Sequence, residues 1–551
     1  MSRPRVIVVG GAGVFGSRLV RGLLATTDAE ILLAGRDRAK AEATAKETGA
    51  AGAIVLDRLR TTPEDISGAN LVIDAAGPFQ GADFSLARAC IAAGADYLDL
   101  SDARDFVAAF PSLDAEAKAK GVRAFTGASS TPALSHAALD ELTAGWRRID
   151  RLRVGISPAN QTPRGRSVIE AALSWAGGPL RVFEGGQWRD RPGWSKGSSH
   201  VLPGLGRRRF RLAETPDHDL LVQRYHPTDE ALMTFGQELD VIHFGLAGLS
   251  WLRRLGLVRD LRFLASPLHA MSEMLLAFGT AAGGMFVEAW GCDAEDKPIR
   301  AEWTLVIGDR IGPYVPTIPA LAMARRLLSG EPISAGAAPC VGILRLSDMQ
   351  PDFERHGMAT QATTEPAPGP FEMALGPAFE TLPAAVKASH RAGPVAHFKG
   401  TAKVDGATGL ARLPAAVFGL PHASEVSPVY VEKRTIAPGR EIWKRAIGKS
   451  RFQSEITYKA PGQVSERFGP FTFTLALTTG PEGHIMRITG WRLGPLPLPA
   501  FLAPKSLATE SQTNTGRFAF DVPISAPLLG RLTRYRGELV VADAIAERKA
   551  R

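Results

Sequence analysis

Residues 6–16 read Val6-Ile7-Val8-Val9-Gly10-Gly11-Ala12-Gly13-Val14-Phe15-Gly16. Four β-branched residues make a buried strand, the glycines make a turn, and Val14 opens an amphipathic helical stretch to Leu24. Gly11, Gly13 and Gly16 have G-x-G-x-x-G spacing: one for the tight turn, one for backbone approach to a pyrophosphate, one for close packing of helix on strand. Helix-opening amides then face the phosphates, so Gly10, Gly11, Gly13, Val14, Phe15 and Gly16 form a candidate dinucleotide site. The pattern predicts a doubly wound α/β domain.

Working outward, the second strand, Ile31 to Gly35, ends about 20 residues beyond the glycine turn, where NAD-selective folds place a carboxylate for the ribose 2′-hydroxyl. Arg36 stands there, with Arg38 and Lys40 close behind. A guanidinium suits a 2′-phosphate, which points to NADP; Asp37 beside it keeps NAD open. Asp57 follows the third strand, Ala53 to Leu56, on the adenine side. The fourth, Leu71 to Ala75, runs into Ala76, Gly77, Pro78 and Phe79, whose small residues leave room for a dinucleotide, with Pro78 and Phe79 walling the nicotinamide side. A fifth β-branched run covers Val122 to Phe125.

The chain has 551 residues, enough for three or four domains, and its 45% hydrophobic and 22% charged composition excludes a disordered or fibrous protein. Three cysteines, Cys90, Cys292 and Cys340, give no disulfide framework, which predicts a reducing compartment. The start of the chain reads as a strand rather than a secretory signal, so a cytoplasmic protein is expected. The apolar stretch Met274 to Val287 is too short for a transmembrane helix.

Residues 1–150 alternate strands with alanine-rich helices and form the predicted Rossmann domain. Residues 151–357 read as an α+β substrate domain. Residues 358–370, Thr-, Ala- and Pro-rich with one charge, read as a linker. Residues 371–551 are strand-rich. Phe471, Phe473, Leu475 and Leu477 alternate with Thr472, Thr474, Ala476 and Thr478, the period-two signature of an antiparallel sheet, curved into a barrel or half-barrel. This block holds 24 Lys plus Arg against 14 Asp plus Glu, the source of the whole +9 charge. Trp443, Arg445, Phe452, Glu466, Arg467, Trp491, Glu510 and Arg536 are its candidate cavity residues.

The glycine loop, AAGPF at Ala75 to Phe79, ADYLDLSD at Ala95 to Asp102 and TGASSTPALS at Thr126 to Ser135 together resemble the saccharopine dehydrogenase-like NADP-binding domain. GPAFETLP at Gly376 to Pro383, ERFGPFTF at Glu466 to Phe473, PLPAFLAP at Pro497 to Pro504 and RYRGEL at Arg534 to Leu539 resemble the uncharacterised domain DUF4166. The first resemblance implies an NADP-dependent oxidoreductase whose mixed α+β domain closes over the nicotinamide. The middle block shows uncharged stretches as readily as the charged anchors a saccharopine-type adduct needs, so lysine metabolism is not expected.

None of the six tyrosines has a lysine four residues on, which removes the Tyr-x-x-x-Lys mechanism. The remaining chemistry candidates follow strands: Asp102 as proton relay, Ser130 as substrate or nicotinamide anchor, and His136 as proton donor. No H-E-x-x-H or paired-cysteine spacing marks a metal site, so any metal would need residues distant in sequence. Arg207-Arg208-Arg209 with Arg211 reads as a loop that is either solvated or set against an anionic head group. Phe244 to Leu264 is apolar with charges all round, unless Gly256 divides it into two segments.

The leading expectation is an NADP-dependent oxidoreductase acting on a carbonyl, imine or enoyl group of a small, apolar or lipid-like substrate. The competing one is a non-catalytic dinucleotide sensor or lipid binder. Peripheral membrane contact and a homo-oligomer stay open. A nucleic-acid partner is not expected, since no recognition motif accompanies the basic block.

Overall fold

Val6, Ile7, Val8 and Val9 are buried because strand β1 (Arg5–Val9) lies inside a parallel sheet. The computed structural model describes residues 3–162, 165–308, 310–391 and 393–542. With β2 (Glu30–Gly35), β3 (Gly52–Val55), β4 (Leu71–Asp74), β5 (Asp96–Asp99) and β6 (Arg123–Thr126), the sheet runs β6-β5-β4-β1-β2-β3. A seventh strand, Gly336–Pro339, adds in parallel beside β6. The first glycine turn leads into helix α1 (Val14–Thr26), and β2 leads into α2 (Arg38–Thr48). This is the expected Rossmann-like sheet, plus a strand supplied from well beyond residue 150.

The carboxyl edge of the sheet is tied together by two buried aspartates. Asp74 Oδ1 accepts the Ala76 amide at 2.9 Å. Asp99 Oδ1 accepts the amides of Ser101 (2.9 Å) and Gly127 (2.8 Å) and the Thr126 hydroxyl (2.8 Å), which locks the loops after β5 and β6 to one atom. Burial pushes the Asp99 carboxyl up to about 7, against the pull of those three donors.

The middle segment builds a nine-stranded mixed sheet around Glu230–Gln237, Arg148–Ser157, Gly283–Cys292 and Pro298–Ile307. Helix Asp217–Tyr225 joins it to the Rossmann domain through two ion pairs: Arg104 grips Asp219 with two 2.6 Å bonds, and Arg224 grips Asp140 with two 2.9 Å bonds. Residues 3–144, 152–289 and 301–363 fall in one compact unit; 145–151, 290–300 and 364–542 fall in a second. The stretch expected as a linker contains strand Ala359–Pro366, placed beside Pro298–Ile307 at the sheet edge. Its threonines favour an extended, solvent-facing strand, and the division between units falls inside it.

Arg207 to Arg211 is also a strand, Gly206–Leu212, rather than a loop. Arg208 pairs with Glu238 at 3.2 Å, Arg209 with Asp240 at 3.5 Å, and Arg211 Nε donates to His243 Nε2 at 3.0 Å. Internal partners thus occupy three of the four arginines. Gly256, with φ +73°, follows helix Asp240–Arg254; the rest of the segment holds a short 3-10 turn at Arg262–Leu264, and the next helix, Ala265–Met274, begins beyond it. Among the described residues no helix is long and apolar enough to cross a membrane.

The second unit carries an eleven-stranded antiparallel sheet that closes on itself, because Phe471–Gly480 pairs with Gly483–Leu493. All but the two-residue strand Leu496–Pro497 form the ring. Leu475 points into a core with Trp443, Ile456, Val464, Met486 and Ala508, as the period-two pattern requires. The expected cavity residues divide: Trp443 and Glu510 are buried, whereas Arg467 is exposed against Glu455 and Trp491 stacks on Phe471.

A raised carboxyl in the fold means that, from the unfolded value near 4 up to about 7, the folded state holds a proton the unfolded chain has released. Stability from this group therefore falls as pH rises through that window. Asp99→Asn, which keeps the accepting oxygen, is expected to flatten the decline; Asp99→Ala, which strands three donors, is expected to cost about 2–4 kcal/mol. Urea denaturation from pH 4 to 7.5 measures both, and an unchanged pH slope in Asp99→Asn would refute the assignment.

Candidate functional site

The glycine turn is built by close contact. Gly10 has φ +74°, and a Cβ there would stand 2.9 Å from Ala76 Cα. On Gly16 a Cβ would stand 2.2 Å from the Gly10 carbonyl oxygen, so only glycine lets α1 start this near the turn. The Gly10 amide donates to Ala34 O, Gly11 to Val8 O and Gly13 to Gly10 O. The amides of Val14, Phe15 and Gly16 meet no acceptor among the described residues, Gly13 caps the helix without a side chain, and the first turn has no acidic residue. Val14 is 41% exposed and Phe15 half-buried, so the first of these donors lie at the surface, with Gly16 buried behind them. An uncapped, uncommitted helix start is the arrangement a diphosphate fits.

Neighbouring strand ends supply the rest of the edge. Arg36 is exposed at the end of β2 and makes no hydrogen bond or ion pair among the described residues. Asp37 accepts the Lys40 amide at 3.0 Å and so caps α2. Asp57 is half-buried after β3 and accepts the Leu59 amide at 3.2 Å. Ala76 lies against Gly10, and Gly77 and Pro78 are exposed beside it, joined by a cis peptide. Phe79 turns inward, 4% exposed against Phe106, so of the expected pair Pro78 and Phe79 only Pro78 is at the surface.

Sequence reasoning passed over Arg58. Its guanidinium donates to the Ala76 carbonyl, lies 3.5 Å from Asp74 and covers the Phe79 ring at 4.6 Å. One side chain thus fixes the segment that faces the glycine turn. Its position directly after Asp57, at a strand end, was the available signal.

The chemistry candidates separate. Asp102 is exposed in the loop after β5, and Gln80 Nε2, from the loop after β4, is 3.5 Å from its carboxylate. Ser130 stands after β6 at 9% exposure, at the edge of the same loops. His136 is not brought to the open edge. It is fully buried, its Nδ1 is 2.8 Å from the Pro132 carbonyl and 3.6 Å from Asp217, and Tyr225 stacks on its ring at 5.6 Å. Burial lowers it to about 4, so it is a neutral packing residue against helix Asp217–Tyr225.

Two segments of the chain match described families. Residues 6–125 match the saccharopine dehydrogenase NADP binding domain, and residues 382–539 match the domain of unknown function DUF4166. No curated protein matches the chain. Among solved structures it is similar to apo saccharopine dehydrogenase (L-Glu forming) from Saccharomyces cerevisiae, with 14% identity, TM-score 0.49, and 66% of this chain and 100% of that one covered. It is also similar to GenD2 from gentamicin A biosynthesis in complex with NAD (16% identity, TM-score 0.27, 52% and 70% covered). A third is a myo-inositol dehydrogenase from Corynebacterium glutamicum (12% identity, TM-score 0.25, 43% and 68% covered). Residues 6–125, which hold the glycine turn, are thus similar to a family of nicotinamide-dinucleotide-binding domains.

Proposed function

We propose that the protein is an NADP-dependent oxidoreductase acting on a carbonyl, imine or enoyl group of an apolar small molecule. The observation that carries this reading is the set of uncommitted amides at Val14 to Gly16, flanked by a free guanidinium at Arg36. In this reading Gly10 to Gly16 hold the diphosphate, Arg36 the adenosine 2′-phosphate, and Asp37 and Asp57 the adenosine side, while Ala76 to Pro78 bound the nicotinamide. NADP, when bound, supplies or accepts the hydride.

Asp102 is the proposed proton relay. It is reached by solvent, it follows the strand next to β4, and Gln80 from the loop after β4 stands 3.5 Å from its carboxylate. His136 has no such role, being sealed and held neutral. Ser130 is the proposed anchor for substrate or carboxamide.

The apolar substrate is supported by the middle segment. Helix Asp240–Arg254 turns Val241, Phe244 and Trp251 to solvent, and Leu255, Leu257, Phe263 and Met274 follow, each at least 49% exposed. Large apolar side chains left this exposed in one stretch of the chain support a binding face. Exposed Arg254 and Arg259 stand along it, which commits the proposal to a surface of anionic lipid from which the substrate is drawn.

Arg36→Ala is expected to weaken NADPH binding by about 10- to 100-fold and leave NADH unchanged, as loss of charge-assisted hydrogen bonds requires. Calorimetry with both nucleotides measures it, and an unaltered NADPH/NADH ratio refutes the role. Asp102→Asn is expected to lower kcat by about 100-fold or more with NADPH affinity kept, the size of a lost general acid; equal loss in both would make Asp102 a binding residue. NADPH binding without consumption across a carbonyl, imine and enoyl panel would leave the sensor reading standing instead. Co-sedimentation with phosphatidylglycerol vesicles is expected, reduced by Trp251→Ser with Phe244→Ser, and absent with phosphatidylcholine; equal recovery with both lipids removes the anionic-surface proposal.

A further inference from the structure

The barrel holds a polar cluster that the reading above does not use. His390 ends helix Ala384–His390, His484 lies on strand Gly483–Leu493, and Glu510 lies on strand Lys505–Gln512. His484 and Glu510 are directly opposite each other in register, so their side chains leave the sheet on the same face. His390 Nε2 is 2.6 Å and His484 Nε2 3.3 Å from the same carboxylate oxygen, Glu510 Oε2. One donor atom from each residue lies within 4.8 Å of the others, and all three residues are at most 5% exposed.

The hydrogen bond from His390 to Glu510 accounts for only part of this. His484 is 2% exposed and, among the described residues, neither of its ring nitrogens has a hydrogen-bond partner; His390 Nδ1 has none there either. A buried polar atom left unmade costs about 1–3 kcal/mol, so a histidine with two such atoms, aimed at a carboxylate, calls for a ligand. The surroundings are aromatic. The Phe371 ring centroid is 4.2 Å from His390 and 5.5 Å from His484, and Trp443 is 5.8 Å from His390.

We propose that His390, His484 and Glu510 bind a divalent transition-metal ion of the zinc class. Ligand atoms at about 2.0–2.2 Å from such an ion stand roughly 3.0–3.5 Å apart; the 3.3 Å His484–Glu510 spacing already fits, and the 2.6 Å His390–Glu510 pair would open on binding. Two imidazoles and one carboxylate form a donor set that such ions favour over Mg²⁺ or Ca²⁺. Neutral imidazoles and a carboxylate are the forms in which these residues would ligate such an ion. Lys433 is itself engaged, donating to the Ser389 carbonyl at 2.9 Å with its ammonium 4.0 Å over Trp443.

The test uses the full chain, stripped with a chelator and then offered Zn²⁺ alone. One equivalent per chain is expected, with sub-micromolar affinity by calorimetry, and Co²⁺ is expected to give a visible d–d band. His484→Ala removes a group with no hydrogen bond of its own and should fold; it is expected to weaken uptake by about 100-fold or more and abolish the Co²⁺ band. Glu510→Gln keeps the shape without the charge and is expected to do the same. Zn²⁺ is expected to raise the thermal midpoint of the wild type and not of either variant. No uptake by the folded, stripped protein, or uptake unchanged in both variants, overturns the proposal. Neither result touches the dinucleotide site, whose binding of NADPH is measured separately on the same chain.

Discussion

The candidate site depends on how near the first helix comes to the first turn. A Cβ on Gly16 would stand 2.2 Å from the Gly10 carbonyl oxygen, so the helix can start there only without side chains on the facing residues. That start leaves the Val14, Phe15 and Gly16 amides without acceptors among the described residues, and their partial positive charge sums with the helix dipole at a helix start whose first residue is exposed. The next strand is fitted to the same spot. Ala76 meets Gly10, its amide goes to Asp74 and its carbonyl to Arg58, so residues after β1, β3 and β4 set one surface. Buried Asp74 needs that cation and that amide; the contacts that satisfy it also shape the loop.

What was legible in the sequence follows from whether a signal is local. The glycine turn is legible because strand, turn and helix are consecutive, and each glycine answers to a contact within a few residues or one strand away. β5 was not legible as a strand. Asp96 and Asp99 occupy positions that apolar residues usually mark, and they are buried only because Arg123, the Ser101 and Gly127 amides and the Thr126 hydroxyl lie opposite. The seventh strand, Gly336–Pro339, has no β-branched residue and is a strand because β6 offers an edge. Tertiary pairing overrides propensity in both.

His136 and Arg58 show the same limit for function. A histidine soon after a strand end has the right chemistry, but whether it faces solvent or a neighbouring helix depends on Tyr225 and Asp217, some 80 to 90 residues later. Arg58 carries no motif, and its role appears only when Ala76 and Phe79 are seen beside it. The basic run at Arg207 to Arg211 likewise looks free until Glu238, Asp240 and His243 are placed against it. Charge in a sequence becomes available charge only after its partners are counted.

The two units bury ionisable groups by different means, and the difference carries chemical meaning. Asp99 is surrounded by backbone and hydroxyl donors; three hydrogen bonds reach one oxygen, and burial still raises its carboxyl to about 7, so a neutral, proton-holding form suits a structural knot. Glu510 is set against two imidazoles, with one of its oxygens 2.6 Å from His390 Nε2 and 3.3 Å from His484 Nε2. A buried carboxylate beside two imidazoles is a poor way to stabilise a barrel, since apolar side chains would fill the same space at lower desolvation cost. It is a good way to hold a cation. The histidines and glutamate are up to 120 positions apart, so nothing local marks them, and closure of the barrel is what places His484 opposite Glu510.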